Sequence, residues 1–231
     1  MLTEVVIEKE IDQAWRVREE NFPSSIEFVY PDRTLPVSVT GTSCGLNCSH
    51  CNGFYLQNMV NLSTALAKHN NLYSSYLVSG GCNIQGKVPL MDNMEKLREL
   101  ARRGSVNLHS GLVTEEEARQ LGEIADVVSF DFVGDEKTIA NVYGLTYTVD
   151  DYLSAYQSLK KYVRVVPHLC LGLNGGKFRG EERVLDLLKK ETVEAISMIV
   201  FKPTAGTAFS CCQPPDLFEV AGFMAKARQM F

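Results

Sequence analysis

The sequence lacks an apolar run of membrane-spanning length, and its first ten residues, Met1 to Glu10, are too acidic to read as a secretory signal. A cytoplasmic protein is the expectation. Basic charge is not in excess either. Against 28 Asp and Glu stand 23 Lys and Arg, a formal net charge of -5 with no basic stripe, so a nucleic-acid partner has no electrostatic footing. No internal repeat, linker or low-complexity stretch divides the chain, and 231 residues with 45% hydrophobic content suit one ordinary globular domain. Also missing is the pair of C-x2-C knuckles from which zinc modules are usually built. The seven cysteines, in a reducing compartment, read as metal ligands or buried thiols rather than disulfides.

What is present is a run of three cysteines, Cys44, Cys48 and Cys51, in C-x3-C-x2-C spacing on one short loop. Three thiolates can hold three corners of a 4Fe-4S cube and leave the fourth iron open to a substrate or cofactor. Zn2+ also suits thiolates beside a histidine, here His50. An apolar stretch, Leu35 to Thr40, precedes the loop and a helical pattern from about Asn58 to His69 follows it.

Short apolar runs then alternate with amphipathic segments, as a parallel α/β barrel requires. Strands are expected near 36–41, 76–79, 106–110, 127–132, 163–171 and 195–202. Helices are expected near 58–69, 91–103, 114–123, 150–161, 181–190 and 215–230, with Asp92, Thr114 and Asp150 as candidate caps. A helix over Thr3 to Asn21 precedes them. The expected architecture is a partial (βα)6 TIM-like barrel over 35–231 behind an N-terminal helical extension over 1–34.

In spacing and setting the cysteine loop resembles that of the radical S-adenosylmethionine (SAM) superfamily. The resemblance implies the same partial barrel, a SAM-binding 4Fe-4S cluster on Cys44, Cys48 and Cys51, and cleavage of SAM to a 5'-deoxyadenosyl radical. His50 stands where the family often has an aromatic residue, and still offers a flat ring to the adenine. Ser79-Gly80-Gly81-Cys82 resembles the family's glycine-rich segment beside the SAM ammonium, with Cys82 in place of the usual acidic residue. Gly172, Asn174 and Gly175 lie in a segment that resembles the one shaping the adenine side of the pocket.

Residues at the C-terminal ends of barrel strands are candidate site residues. Alternation turns His109 and Asp131 to the opposite side from Leu108 and Phe130, where they can meet a ribose or a substrate. The four remaining cysteines, Cys82, Cys170, Cys211 and Cys212, also follow strand ends, which suggests a second iron-sulfur cluster. With it, the chain most resembles the biotin-synthase-related branch, and within that the two-component lipoyl synthases. That likeness implies sulfur insertion into an octanoyl chain on a carrier protein or lysine peptide, a second radical SAM subunit as partner, and a reductant such as ferredoxin. The alternatives are a radical SAM enzyme of another reaction type, such as a methylthiolase, mutase or methyltransferase, and an iron-sulfur or zinc protein without turnover.

Overall fold

The computed structural model describes residues 4–25, 28, 30–68 and 72–231, in two compact units, 1–31 and 32–231. The first unit carries helix α1 (Glu4–Asn21), in which the Arg18 guanidinium lies 5.6 Å from the centre of the Trp15 ring. Thr3 and His69, where two of the expected helices begin and end, lie outside the described residues. Among the described residues no helix is long and apolar enough to cross a membrane.

The second unit is built on a seven-stranded, fully parallel sheet. In chain order the strands are β1 (Thr34–Ser38), β2 (Val60–Asn61), β3 (Ser75–Ser79), β4 (Ser105–His109), β5 (Val127–Asp131), β6 (Val165–Leu171) and β7 (Ser197–Val200). In space they run β2-β1-β3-β4-β5-β6-β7. The helices are α2 (Leu62–Ala67), α3 (Met94–Ala101), α4 (Glu115–Leu121), α5 (Glu136–Thr138), α6 (Val149–Lys160), α7 (Glu181–Lys190) and α8 (Leu217–Met230). Parallel neighbours need a crossover between them; α-helices supply it from β3 onward, and between β1 and β2 the cysteine loop and the 3-10 turn Phe54–Asn58 do. The partial TIM-like barrel expected from the sequence is therefore the fold, with one strand more than the six expected: the two-residue β2, which pairs Val37 with Val60 at the open edge.

The period of two along the strands divides the sheet's faces. Val37, Val78, Val106, Leu108, Val128, Phe130, Leu169 and Leu171 are almost fully buried. Phe130 packs with Tyr152 and Tyr156 of α6, ring centres 6.2 and 6.1 Å apart. The residues between them, among them Asn107, His109, Ser129, Asp131, His168 and Cys170, occupy the other face. Ser129 Oγ donates to Asn107 Oδ1 at 3.0 Å on that face. Such a distribution leaves the polar set free to line cavities rather than the core.

Element boundaries differ from expectation where local hydrogen bonding decides them. Thr114 caps α4 in a full capping box with Glu117. Asp150, however, does not cap α6. Thr148 does, in a capping box with Asp151, and Asp150 lies in the first turn. Nor does Asp92 cap α3, because Met91–Asn93 is a 3-10 turn leading into it. The helix expected from Asn58 starts at Leu62, since Met59 is extended and Asn61 Oδ1 accepts the Ser63 amide at 2.9 Å. Between β5 and α6 the chain adds a π-helical turn, Ile139–Tyr143, which periodicity does not signal.

Candidate functional site

The cysteine loop crosses the C-terminal end of the sheet and is pinned from three directions. The Gly45 amide donates to the Cys82 carbonyl at 2.6 Å, just past β3. The Ser49 amide donates to the Val142 carbonyl at 2.7 Å and Ser49 Oγ to the Asn141 carbonyl at 2.9 Å, both in the π-helical turn. From the segment after β7, the Phe209 amide donates to the Ser49 carbonyl at 2.9 Å. Within the loop the Cys48 carbonyl accepts from Cys51 and Asn52, and Asn52 adopts a positive φ of 44°. That turn places Cys48 and Cys51 on one side.

Gly81 shows how closely β3's continuation approaches the loop. A Cβ there would sit 2.0 Å from the Ser43 carbonyl oxygen and 2.5 Å from Cys44 Cα. Only glycine leaves room. Its amide donates to Thr40 Oγ1 at 2.7 Å, so the two strand ends that carry the loop and the glycines are tied directly.

Two cavities, each about 360 Å³, adjoin at this end of the sheet. The first is lined by Cys44, Cys48, Cys51, Gly80, Gly81, Cys82 and His109, together with apolar residues such as Leu56, Met59 and Leu77. The second is lined by His168, Cys170, Phe132, Val133, Leu173, Phe201 and Lys202. His50, Tyr55, Asp131 and Tyr143 line both. His50 and Tyr143 meet edge to face at 5.6 Å, and the buried Nδ1 of His50 has no hydrogen-bond partner.

Electrostatics differ among the thiols. A hydrogen bond shared between Cys48 and Cys51 pushes the Cys48 thiol up, with burial adding to it, and favours the thiolate on Cys51, which His50 also stabilises. Burial, with the Cys44, Asp131 and Cys51 charges nearby, pushes Cys82 up to about 12. Burial, then Asp131 and Glu181, does the same to Cys170, also to about 12. Burial lowers His168, against the pull of Asp131.

The remaining sequence candidates are spread more widely. Cys211 is exposed, and Cys212 Sγ faces Gly175, 3.2 Å from where its Cβ would be. Cys82 lines the first cavity and Cys170 the second, so the four additional cysteines share no common cavity. Gly172, Asn174 and Gly175 line neither. A Cβ on Gly172 would lie 2.9 Å from Pro215 side-chain atoms, which is a packing reason for glycine there, and Leu173 is the member of that segment that reaches the second cavity. Sequence reasoning missed His168 and Tyr143 as site residues. His168 was legible as the alternate residue of an apolar strand, on the same face as Cys170; Tyr143 depends on the π-helical turn and carried no sequence signal.

No family model and no curated protein matches the sequence. Solved structures do match in fold. Methylornithine synthase aligns over 98% of this chain and 71% of its own, at 13% identity and a TM-score of 0.66. Coproporphyrinogen III oxidase from Escherichia coli, described as a radical SAM enzyme, aligns over 86% of this chain and 54% of its own, at 14% identity and a TM-score of 0.58. A radical S-adenosylmethionine methyltransferase from Kitasatospora setae, solved with cobalamin and a [4Fe-4S] cluster, aligns over 76% of this chain and 38% of its own, at 14% identity and a TM-score of 0.51. The chain thus spans roughly half or less of the last two. What it shares with these enzymes of differing chemistry is the partial parallel α/β barrel.

Proposed function

We propose that this chain is a radical SAM enzyme that holds a 4Fe-4S cluster on Cys44, Cys48 and Cys51, and that it acts on a largely apolar substrate seated in the second cavity. The observation that carries the reading is the pair of adjoining cavities: three loop thiols line one, and four residues line both. The donor set fits such a cluster, since the three thiols come from one pinned loop and open into one space beside the Gly80-Gly81 backbone. The likeness in fold to radical SAM enzymes supports it. When bound, the cluster supplies an open iron position and the electron for reductive cleavage of SAM to a 5'-deoxyadenosyl radical.

The chain's own groups do the rest. Gly80 and Gly81 present backbone to the cofactor. Leu56, Met59 and Leu77 give the first cavity an apolar wall, and Phe132, Val133, Leu173 and Phe201 give the second one, as suits a reactive radical. His50 and Tyr143 stand at the wall between cofactor and substrate. Replacing Cys48 with alanine is expected to abolish 5'-deoxyadenosine formation under anaerobic reducing conditions; undiminished formation by the variant would overturn the proposal.

Sulfur insertion into a protein-bound octanoyl chain, implied by the likeness to lipoyl synthases, calls for a sulfide-bearing second cluster beside the substrate. The scattered placement of Cys82, Cys170, Cys211 and Cys212 supports it less than a reaction needing one cluster, and the iron content of the reconstituted protein separates the two. A further reading rests on Cys48, His50 and Cys51, whose ligand atoms lie within 4.8 Å of one another, close enough for a single Zn2+. Anaerobic reconstitution followed by iron, zinc and acid-labile sulfide analysis decides between zinc and a cluster.

A further inference from the structure

Two to four strands along the sheet from β1, which leads into the cysteine loop, the polar face assembles a second ligand set. His109 ends β4, Asp131 ends β5 and His168 lies in β6. Asp131 is directly opposite His168 in the parallel register, and His109 is opposite Ser129, one same-face step before Asp131. Their ligand atoms all lie within 4.8 Å of one another. The two imidazoles stand edge to face, 5.1 Å between centres.

The spacing is not that of a hydrogen-bonded triad. His168 Nδ1 lies 3.7 Å from Asp131 Oδ1, beyond hydrogen-bond reach, and this buried nitrogen has no other partner. A buried imidazole nitrogen left alone is unfavourable, because it has given up water without replacement. Two ligands of one ion, each at ~2.0–2.2 Å from the metal, stand ~3–3.5 Å apart, a separation the pair reaches by a shift of a few tenths of an ångström. Two imidazoles and one carboxylate suit first-row divalent ions and leave coordination positions free.

We propose that His109, Asp131 and His168 form a binding site for a divalent first-row transition ion, separate from the cysteine loop. Asp131 lines both cavities, His109 the first and His168 the second, so the ion sits at their seam. Its free positions are open to an oxygen- or nitrogen-donor group of a bound substrate.

The test is titration of the full-length protein with Mn2+, followed by loss of the free-ion electron paramagnetic resonance signal, and in parallel with Co2+, followed by absorption. Mn2+ disfavours thiolates, and Co2+ held by nitrogen and oxygen alone lacks the sulfur-to-metal charge-transfer bands of a cysteine site. One equivalent of Mn2+ is expected to bind, in the wild type and equally in Cys48→Ala, and Co2+ at this site is expected to show no sulfur charge transfer, which sets it apart from any Co2+ taken up by the loop thiols. Asp131→Asn keeps the side chain's shape at an exposed position and should fold normally; it and His168→Asn are each expected to weaken binding tenfold or more. Binding of both ions unchanged in the two variants, or absent from Cys48→Ala, would sink the assignment, whether or not SAM is cleaved.

Discussion

At the residue scale, Gly81 links the fold to the site more tightly than any cysteine does. Its missing Cβ is what lets the end of β3 lie against Ser43 and Cys44, and no side-chain rotation can relieve a clash with backbone. Gly81→Ala is therefore expected to push the cysteine loop outward, lowering stability by about 1–3 kcal/mol, as overpacking typically does, and lowering iron retention with it. Chemical denaturation and iron analysis of the same preparation check this, and a variant that keeps both stability and iron would show that the loop tolerates displacement. The glycine pair after β3 was legible in the sequence as a strand-end segment, but the reason for glycine at 81 is the approach of two backbones, which only the tertiary structure shows. The same holds for Gly172 and Gly175, where the neighbours are Pro215 and Cys212 rather than a cavity.

At the element scale, the buried Glu181 at the start of α7 binds the loop after β6 to that helix. Its carboxylate accepts the Gly172 amide at 2.9 Å and also the Arg179 amide. Burial nevertheless raises its pKa above the ordinary carboxylate value, so the folded state takes up its proton more readily than the unfolded one. Where the native state binds more protons, stability falls as pH rises, and the window opens at the unfolded carboxylate pKa and closes at the raised folded one. Glu181→Gln removes that titration: the unfolding free energy of the wild type minus that of the variant is expected to fall as pH rises from about 4 upward. A difference flat in pH would show that the backbone donors fully offset the burial. Local elements were legible where capping chemistry is unambiguous, as at Thr114. They were misplaced by two residues where two candidates compete, as at Thr148 and Asp150, because which side chain reaches the free amides depends on a backbone turn that sequence spacing does not specify. The π-helical turn that pins the cysteine loop was not legible at all, since burial of Ile139 and Val142, three residues apart, is equally the pattern of an ordinary α-helical turn.

At the scale of the whole molecule, the parallel sheet gathers residues more than a hundred positions apart at one end, and that convergence made a second cluster plausible from sequence alone. Strand ends are a coarse address, however. Cys82 and Cys170 follow the strands closely and reach the cavities, whereas Cys211 and Cys212 lie eleven and twelve residues beyond β7, on a segment that folds back over the cysteine loop through Phe209. A cube needs its thiolates around one volume, and these four do not line one. The expected outcome of anaerobic reconstitution is accordingly about four irons and four sulfides per chain, the content of one cube, with Cys48→Ala losing most of them. The Cys211→Ala and Cys212→Ala variants should keep wild-type iron and wild-type SAM cleavage. About eight irons in the wild type, falling to about four in either of those variants while SAM is still cleaved, would instead establish the second cluster and restore sulfur insertion as the leading reaction.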